Sequence, residues 1–211
     1  MELIQRRRGL IGRKNEIVLP DEYQRVEWIQ NNSGNAYFVS DIVVQDGLTV
    51  DSFQTMVYGD SYLFGGQDSN SKSLAFNGFW RGVQNNYNGY YSCGHVSTDD
   101  TTIYHFVTTH KDGRRLVYQD GEKVYDHTVT NSYAQSSNRF GVFCILRNAG
   151  DIALGFKGKV YRLKVLKDAA VLANYIPCYR KTDGEVGMYD LVLKKFYGSE
   201  GSRKFAKGAD V

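Results

Sequence analysis

Tyr118-Gln119-Asp120-Gly121-Glu122-Lys123-Val124 decides the fold class. An Asp-Gly pair between two alternating segments is the residue choice of a type I′ turn, which needs φ > 0 at both central positions. The spacing predicts two adjacent antiparallel strands, Leu116 to Gln119 and Glu122 to Tyr125. On either side the same period-2 pattern recurs, at Val26 to Ile29, Ala36 to Val44, Leu48 to Val57, Tyr62 to Phe64, Ser73 to Phe76, Tyr104 to Thr109, Arg139 to Leu146, Phe156 to Val165 and Val171 to Ile176. Roughly 8 to 15 residues separate these segments, with Gly, Asn and Asp between them, which is the spacing of an all-β sandwich or barrel. Lys167-Asp168-Ala169-Ala170 is too short to be more than a turn between strands. No longer repeat is present that would suggest a solenoid or propeller.

Composition agrees with strands. The chain has 211 residues, with 16 Tyr and 11 Phe against 3 Met and 2 Pro, a content suited to pleated, half-buried surfaces. That length supports one core, so residues 19–211 are expected to form one domain behind an arm over residues 1–18. Formal net charge is +3, but Arg6, Arg7, Arg8, Arg13 and Lys14 oppose only Glu2 in the first fourteen residues. The remainder is close to neutral, which argues against a nucleic-acid partner, since phosphate binding needs a basic face. Cys93, Cys144 and Cys178 are odd in number, lack a C-x-x-C spacing and read as buried reduced thiols. No apolar run reaches membrane-spanning length, and Gly9-Leu10-Ile11-Gly12 is too short for a secretory leader. Membrane insertion is therefore not expected.

Four ordered segments carry a resemblance. They are Leu19-Pro20-Asp21-Glu22-Tyr23-Gln24-Arg25-Val26-Glu27-Trp28-Ile29, then Tyr104-His105-Phe106-Val107 with Asp120-Gly121, then Gly158 to Val165. The fourth comprises Ile176-Pro177-Cys178-Tyr179-Arg180, Gly187-Met188-Tyr189-Asp190, and Phe196-Tyr197-Gly198 through Gly208-Ala209-Asp210-Val211. In that order they resemble the entry strand, the central hairpin, the strand before the close and the closing pattern of the concanavalin A-like, or laminin-G-like, jelly-roll domains found in virion proteins of bacteriophages and prophages of gut bacteria. The resemblance implies a two-sheet antiparallel sandwich and a phage setting, whereas activity differs among proteins of this shape. Pro177 cannot donate to a ladder, so it is expected at a strand end or edge. Gly184 and Gly187 are expected to flank a turn, and Tyr189, Phe196, Tyr197 and Phe205 to lock the final strand over the sandwich.

Catalytic patterns are missing. Glycoside hydrolysis needs two carboxylates roughly 5 to 9 Å apart across the scissile bond. Related hydrolases carry Glu-x-Asp-x-x-Glu on one strand, where alternation points the side chains into one cleft. Here the glutamates are Glu2, Glu16, Glu22, Glu27, Glu122, Glu185 and Glu200, with no such triplet. No serine lies in a nucleophile elbow, and His95, His105, His110 and His127 lack metal-ligand spacings. His105 reads as a satisfied core or wall histidine, and His110, opening His110-Lys111-Asp112-Gly113, as solvated. Gly65-Gly66 and Gly78 to Gly82 read as turns rather than phosphate loops. No cofactor is expected. Calcium is left open, with Asp68, Asn70, Asp99 and Asp100 as candidate ligands but no Asp-x-Asp-x-Asp-Gly loop, and Asp190 is a minor alternative metal ligand.

Phe76 to Tyr91 lacks ordinary strand alternation and gathers Trp80, Arg81, Asn85, Tyr87, Tyr90 and Tyr91. A sugar site combines a flat aromatic face with amide and guanidinium donors, so this stretch is the carbohydrate-binding candidate, with core aromatics and Asn-Gly turns as the alternative. Arg6, Arg7, Arg8, Leu10, Ile11 and Arg13 form an arm suited to docking on a neighbouring virion protein, or else a plain tail. The expected function is a non-enzymatic virion decoration or tail protein with a lectin-like head for host-surface or mucosal glycans, assembled in the bacterial host cytoplasm. A homo-oligomer is compatible with this. The alternatives are a glycoside hydrolase with a rearranged site and a purely structural oligomerisation module.

Overall fold

The computed structural model describes residues 17–32, 34–57, 62–69, 72–79, 83–87, 90–94, 101–128, 138–147, 151–153 and 155–211, with backbone alone at 68, 69, 72, 73, 78, 79, 83–87, 90–94 and 153. In chain order the first strands are β1 (Tyr23–Arg25), β2 (Ile29–Gln30), β3 (Phe38–Val43), β4 (Leu48–Gln54), β5 (Phe64–Ser69), β6 (Lys72–Phe79), β7 (Val83–Tyr87) and β8 (Tyr90–Gly94). Next come β9 (Tyr104–Lys111), β10 (Arg114–Gln119), β11 (Glu122–Thr128), β12 (Arg139–Val142), β13 (Cys144–Leu146) and β14 (Ile152–Ala153). The chain closes with β15 (Lys159–Lys167), β16 (Ala170–Arg180), β17 (Val186–Asp190), β18 (Lys195–Gly198) and β19 (Ala206–Lys207). Among the described residues there is no helix.

The strands form a two-sheet jelly-roll sandwich. The larger sheet runs β11-β10-β9-β4-β15-β16-β17-β18, with β1 beside β16 and β2 between β15 and β19. The smaller runs β14-β13-β5-β6-β7-β8, with β12 joining β3 to β5. The β10–β11 hairpin has the expected register, Gln119 opposite Glu122, and Asp120 and Gly121 have φ of 51° and 89°. Lys167 likewise pairs with Ala170 around Asp168 and Ala169, also both at positive φ.

Alternation builds the core. On β9 the side chains of Tyr104, Phe106, Thr108 and His110 are buried and those between are not, so the strand shows one face to the opposite sheet. Phe64 stacks on Phe140 with centroids 4.3 Å apart, and Phe38 packs on Tyr175, Tyr197 and Phe205. Polar residues tie the sheets inside the sandwich. Thr108 donates to Asn77 Oδ1 at 2.6 Å, and Asn77 Nδ2 donates to Ser52 Oγ at 2.9 Å. Each buried group needs such a partner, because leaving one unmade costs about 1–3 kcal/mol.

Several expectations are corrected. His110 is not solvated but fully buried, stacked on Phe76 at 4.2 Å, because strand parity carries it inward from Phe106. Gly65 and Gly66 are not a turn but lie within β5, where a Cβ at Gly66 would fall 2.2 Å from Val44 and one at Gly65 2.8 Å from Ile145. The single strand expected over Arg139 to Leu146 is two, broken at Phe143 with φ 66°. The chain reverses there, so β12 runs antiparallel to β5 and β13 parallel to it. In place of Val26 to Ile29, pairing falls to β1 and β2 with a lone bridge from Val26 to Asp210. Gly187 belongs to β17, while Gly184, at φ 70°, makes the turn.

Pro177 lies inside β16, not at its end. On one flank β16 pairs with β15 up to Tyr175 and with β1 from Cys178, so Pro177 falls at the junction. Its carbonyl accepts from Val26 N at 3.0 Å, and its missing N–H faces the same junction, so the ladder survives. The closing segment does seal the fold: Tyr189, Tyr197 and Phe205 are buried.

Candidate functional site

The described parts of the aromatic and amide-rich stretch, 76–79, 83–87 and 90–91, lie on strands β6, β7 and β8. Asn85 and Tyr87 lie on β7, Tyr90 and Tyr91 on β8, and the register sets Asn85 opposite Ser92, Asn86 opposite Tyr91 and Tyr87 opposite Tyr90. The backbone thus brings the tyrosines of the proposed sugar site into one ribbon. Trp80 and Arg81 lie outside the described residues, as do Arg6, Arg7, Arg8, Leu10, Ile11 and Arg13 of the arm. Asn70, Asp99 and Asp100 also lie outside them, and only the backbone of Asp68 is described. Among the described residues no three His, Cys, Asp or Glu side chains cluster as metal ligands. Asp190 is buried and caps the β17–β18 turn, where its Oδ1 accepts from Val192 N and Asn174 N, each at 2.9 Å.

A groove of about 480 Å3 opens where the edge strands of the two sheets approach each other. Its walls are β3 and β12 of the smaller sheet, β18 of the larger, and residues 185, 199 and 200 beside it. Asp41, alternating outward on β3, is one of its lining residues. Oδ2 accepts from Lys195 Nζ at 2.6 Å and from the Tyr197 hydroxyl at 2.7 Å, and Oδ1 from Arg139 at 3.0 Å. The hydrogen bonds from Lys195 and Tyr197 hold its carboxyl below the ordinary value, while burial, with Asp41 beside it, raises the Tyr197 phenol.

The remaining carboxylates of the groove are also held. Glu200 Oε1 accepts from Val39 N at 3.0 Å, and Glu185 pairs with Arg180. Tyr23 stacks on Phe196 with centroids 5.2 Å apart, and the Arg180 guanidinium lies 5.3 Å from the same ring. The groove is therefore a polar surface of fixed donors and acceptors. Each carboxylate on its wall already holds a partner: Lys195, Arg139 and Tyr197 on Asp41, Val39 N on Glu200 and Arg180 on Glu185.

The sequence did not single out this site. No motif joins Asp41, Arg139 and Lys195, and only the fold brings residues so distant in the chain together. Among the candidates that were read, His105 is a satisfied wall residue on the outer face, stacked on Phe53 at 4.3 Å, with Nε2 2.8 Å from Asp51 Oδ1. Cys144 and Cys178 are free and buried, and burial pushes both thiols up to about 12, so they are inert. The side chain of Cys93 is outside the described residues.

No protein-family model and no curated protein matches the sequence. Among solved structures, the chain is similar to a candidate carbohydrate binding protein from Bacteroides ovatus ATCC 8483, with a TM-score of 0.60 and 13% identity over 89% of this chain. That match takes in 62% of the other protein, so the chain spans less than two thirds of its length. A second similar structure is the heptameric SAP-like pentraxin of Limulus polyphemus, with a TM-score of 0.48 and 14% identity, covering 70% of this chain and 77% of that one.

Proposed function

We propose that this chain is a non-enzymatic, lectin-like module that binds glycans. The observation that carries the reading is the groove around Asp41. It presents a guanidinium, an ammonium and carboxylates in fixed geometry, all already engaged, which favours recognition of a hydroxyl-rich ligand over turnover. The similar Bacteroides ovatus structure, itself named as a candidate carbohydrate binding protein, points in the same direction through fold alone. The Asn- and Tyr-rich β7–β8 ribbon, with Trp80 and Arg81 next to it in sequence, is a second candidate by composition. Binding of the purified protein on a glycan array tests the reading, and absence of binding across a broad array overturns it. Release of new reducing ends from host polysaccharides would overturn the non-enzymatic part.

The finer reading is a bacteriophage virion protein of capsid or tail, anchored by residues 1–18 to other virion proteins. It is supported by the sequence resemblance and by the basic arm preceding the sandwich. Mass spectrometry of purified particles tests it: the chain is expected in the virion, and deletion of residues 1–18 is expected to release it. Absence from particles overturns the setting, and unchanged retention of the truncated chain overturns the anchor.

A further inference from the structure

Resting on the lectin-like reading, we propose that the groove between β3 and β18 is itself a sugar site, and that its ligand is a neutral, hydroxyl-rich oligosaccharide rather than a charged one. The argument is charge balance. Along the wall Lys195 and Arg139 share Asp41, Glu185 lies against Gly198, and Glu200 accepts from Val39 N. Glu185 is neutralised by Arg180, so two cations and two carboxylates remain along the wall. An anionic sugar would meet Arg139 and Lys195 but also the Asp41 carboxylate they already hold. A cationic sugar would meet the converse.

A hydroxyl donates and accepts together, so adjacent sugar hydroxyls can take hydrogen bonds from Arg139 or Lys195 and give them to Glu200 or Glu185 without an unbalanced charge. Arg139 and Lys195 have half or more of their side chains exposed, and each uses one N–H on Asp41, which leaves donors for a ligand. The three residue steps from Lys195 to Gly198 span about 10 Å, room for a short oligosaccharide in an extended pose.

The packing also sets the expected strength. Tyr23 and Arg180 already pack on Phe196, and Tyr197 is buried, so among the described residues of the lining no aromatic face is left for stacking. Recognition through hydroxyl contacts alone gives a dissociation constant on the order of millimolar, useful only when several copies bind one surface.

Neutral tetrasaccharides (maltotetraose, cellotetraose, mannotetraose) are titrated against tetragalacturonate and tetrameric chitosan, with backbone amide NMR shifts as the readout. At least one neutral sugar is expected to move amides of residues 39–41 and 195–200, and Arg139→Ala and Glu200→Gln are each expected to weaken it about tenfold. Both side chains lie on the groove wall outside the core, and Lys195→Ala provides an independent third variant. Preference for the uronate or the chitosan overturns the ligand class. Neutral binding that shifts other residues and ignores these variants overturns the site while glycan binding stands. No shift at about 10 mM sugar, with a positive array, likewise overturns the site. A negative array as well overturns both readings.

Discussion

Gly208 lies against the indole of Trp28 so closely that a Cβ there would fall 2.7 Å from Nε1 and 2.9 Å from Cδ1 and Cε2. The contact belongs to a zipper between the opening and closing segments. Ala206 and Lys207 pair with Gln30 and Ile29, Gly208 N donates to Trp28 O at 2.9 Å, and Glu27 N donates to Ala209 O at 2.9 Å. Lys159 Nζ sits 4.7 Å from the Trp28 ring centroid, so the indole cannot swing away without losing that contact. Gly208→Ala is expected to lower stability by about 1–3 kcal/mol, the range for overpacking a rigid contact. Urea unfolding measures it, and an unchanged midpoint would show that the zipper yields.

Ala169 makes the opposite case, since it has room but the wrong backbone. Its φ is 70° in the two-residue turn joining β15 and β16, a left-handed conformation that costs an L-residue about 1–2 kcal/mol. Ala169→Gly removes that strain at the expense of a more flexible unfolded chain. A net gain of about 0.5–1 kcal/mol in urea unfolding is expected. A loss would mean that the methyl group packs usefully at the hairpin tip.

These two positions mark how far the sequence could be read. Asp120-Gly121 was legible because few residue pairs tolerate a type I′ turn, and the structure has that turn. Asp168-Ala169 was legible as a turn but not as a left-handed one, because alanine carries no signal for positive φ. The break at Phe143 was hidden for the same reason. His110 was misread from its polar neighbours Lys111, Asp112 and Gly113, although parity with Phe106 and Thr108 places it inside. The groove had no local signature at all. Asp41, Arg139 and Lys195 become one site only when the edges of both sheets meet.

The burial of His110 makes acid stability measurable. Desolvation, with Arg115 adding to it, pushes the imidazole down to about 3 from its usual 6.5. As pH falls below 6.5 the unfolded chain takes up a proton that the folded chain refuses, so stability is full above that value and declines towards pH 3. The limiting slope is about 1.4 kcal/mol per pH unit. Asp41 and Asp183 titrate below their ordinary value, so between pH 6.5 and 4.5 they add little. Urea midpoints are therefore expected to fall over that window in the parent chain and to stay nearly flat in His110→Leu. A parallel decline in both would assign the acid sensitivity elsewhere.

Asp41 and Tyr197 fasten the two sheets at the groove, and their contributions can be separated. Asp41 gives β3 of the smaller sheet a carboxylate that Lys195, Arg139 and the Tyr197 hydroxyl all address. Both cations are at least half exposed, so their pairing is screened and contributes at most about 1 kcal/mol. The Tyr197 hydroxyl belongs to a buried ring, and stranding it costs about 1–3 kcal/mol. Asp41→Asn keeps an acceptor for that hydroxyl and loses only the charge, so it should cost less than Asp41→Ala. Because hydrogen bonding lowers the Asp41 carboxyl in the folded chain, its stabilising effect is present above pH 3.8 and lost as pH falls below it. Tyr197→Phe removes the group that Asp41→Ala would strand, so the double variant is expected to be more stable than the sum of the single losses implies. Urea unfolding of the four variants reads this directly, and strict additivity would mean that the hydroxyl finds another partner when Asp41 is gone.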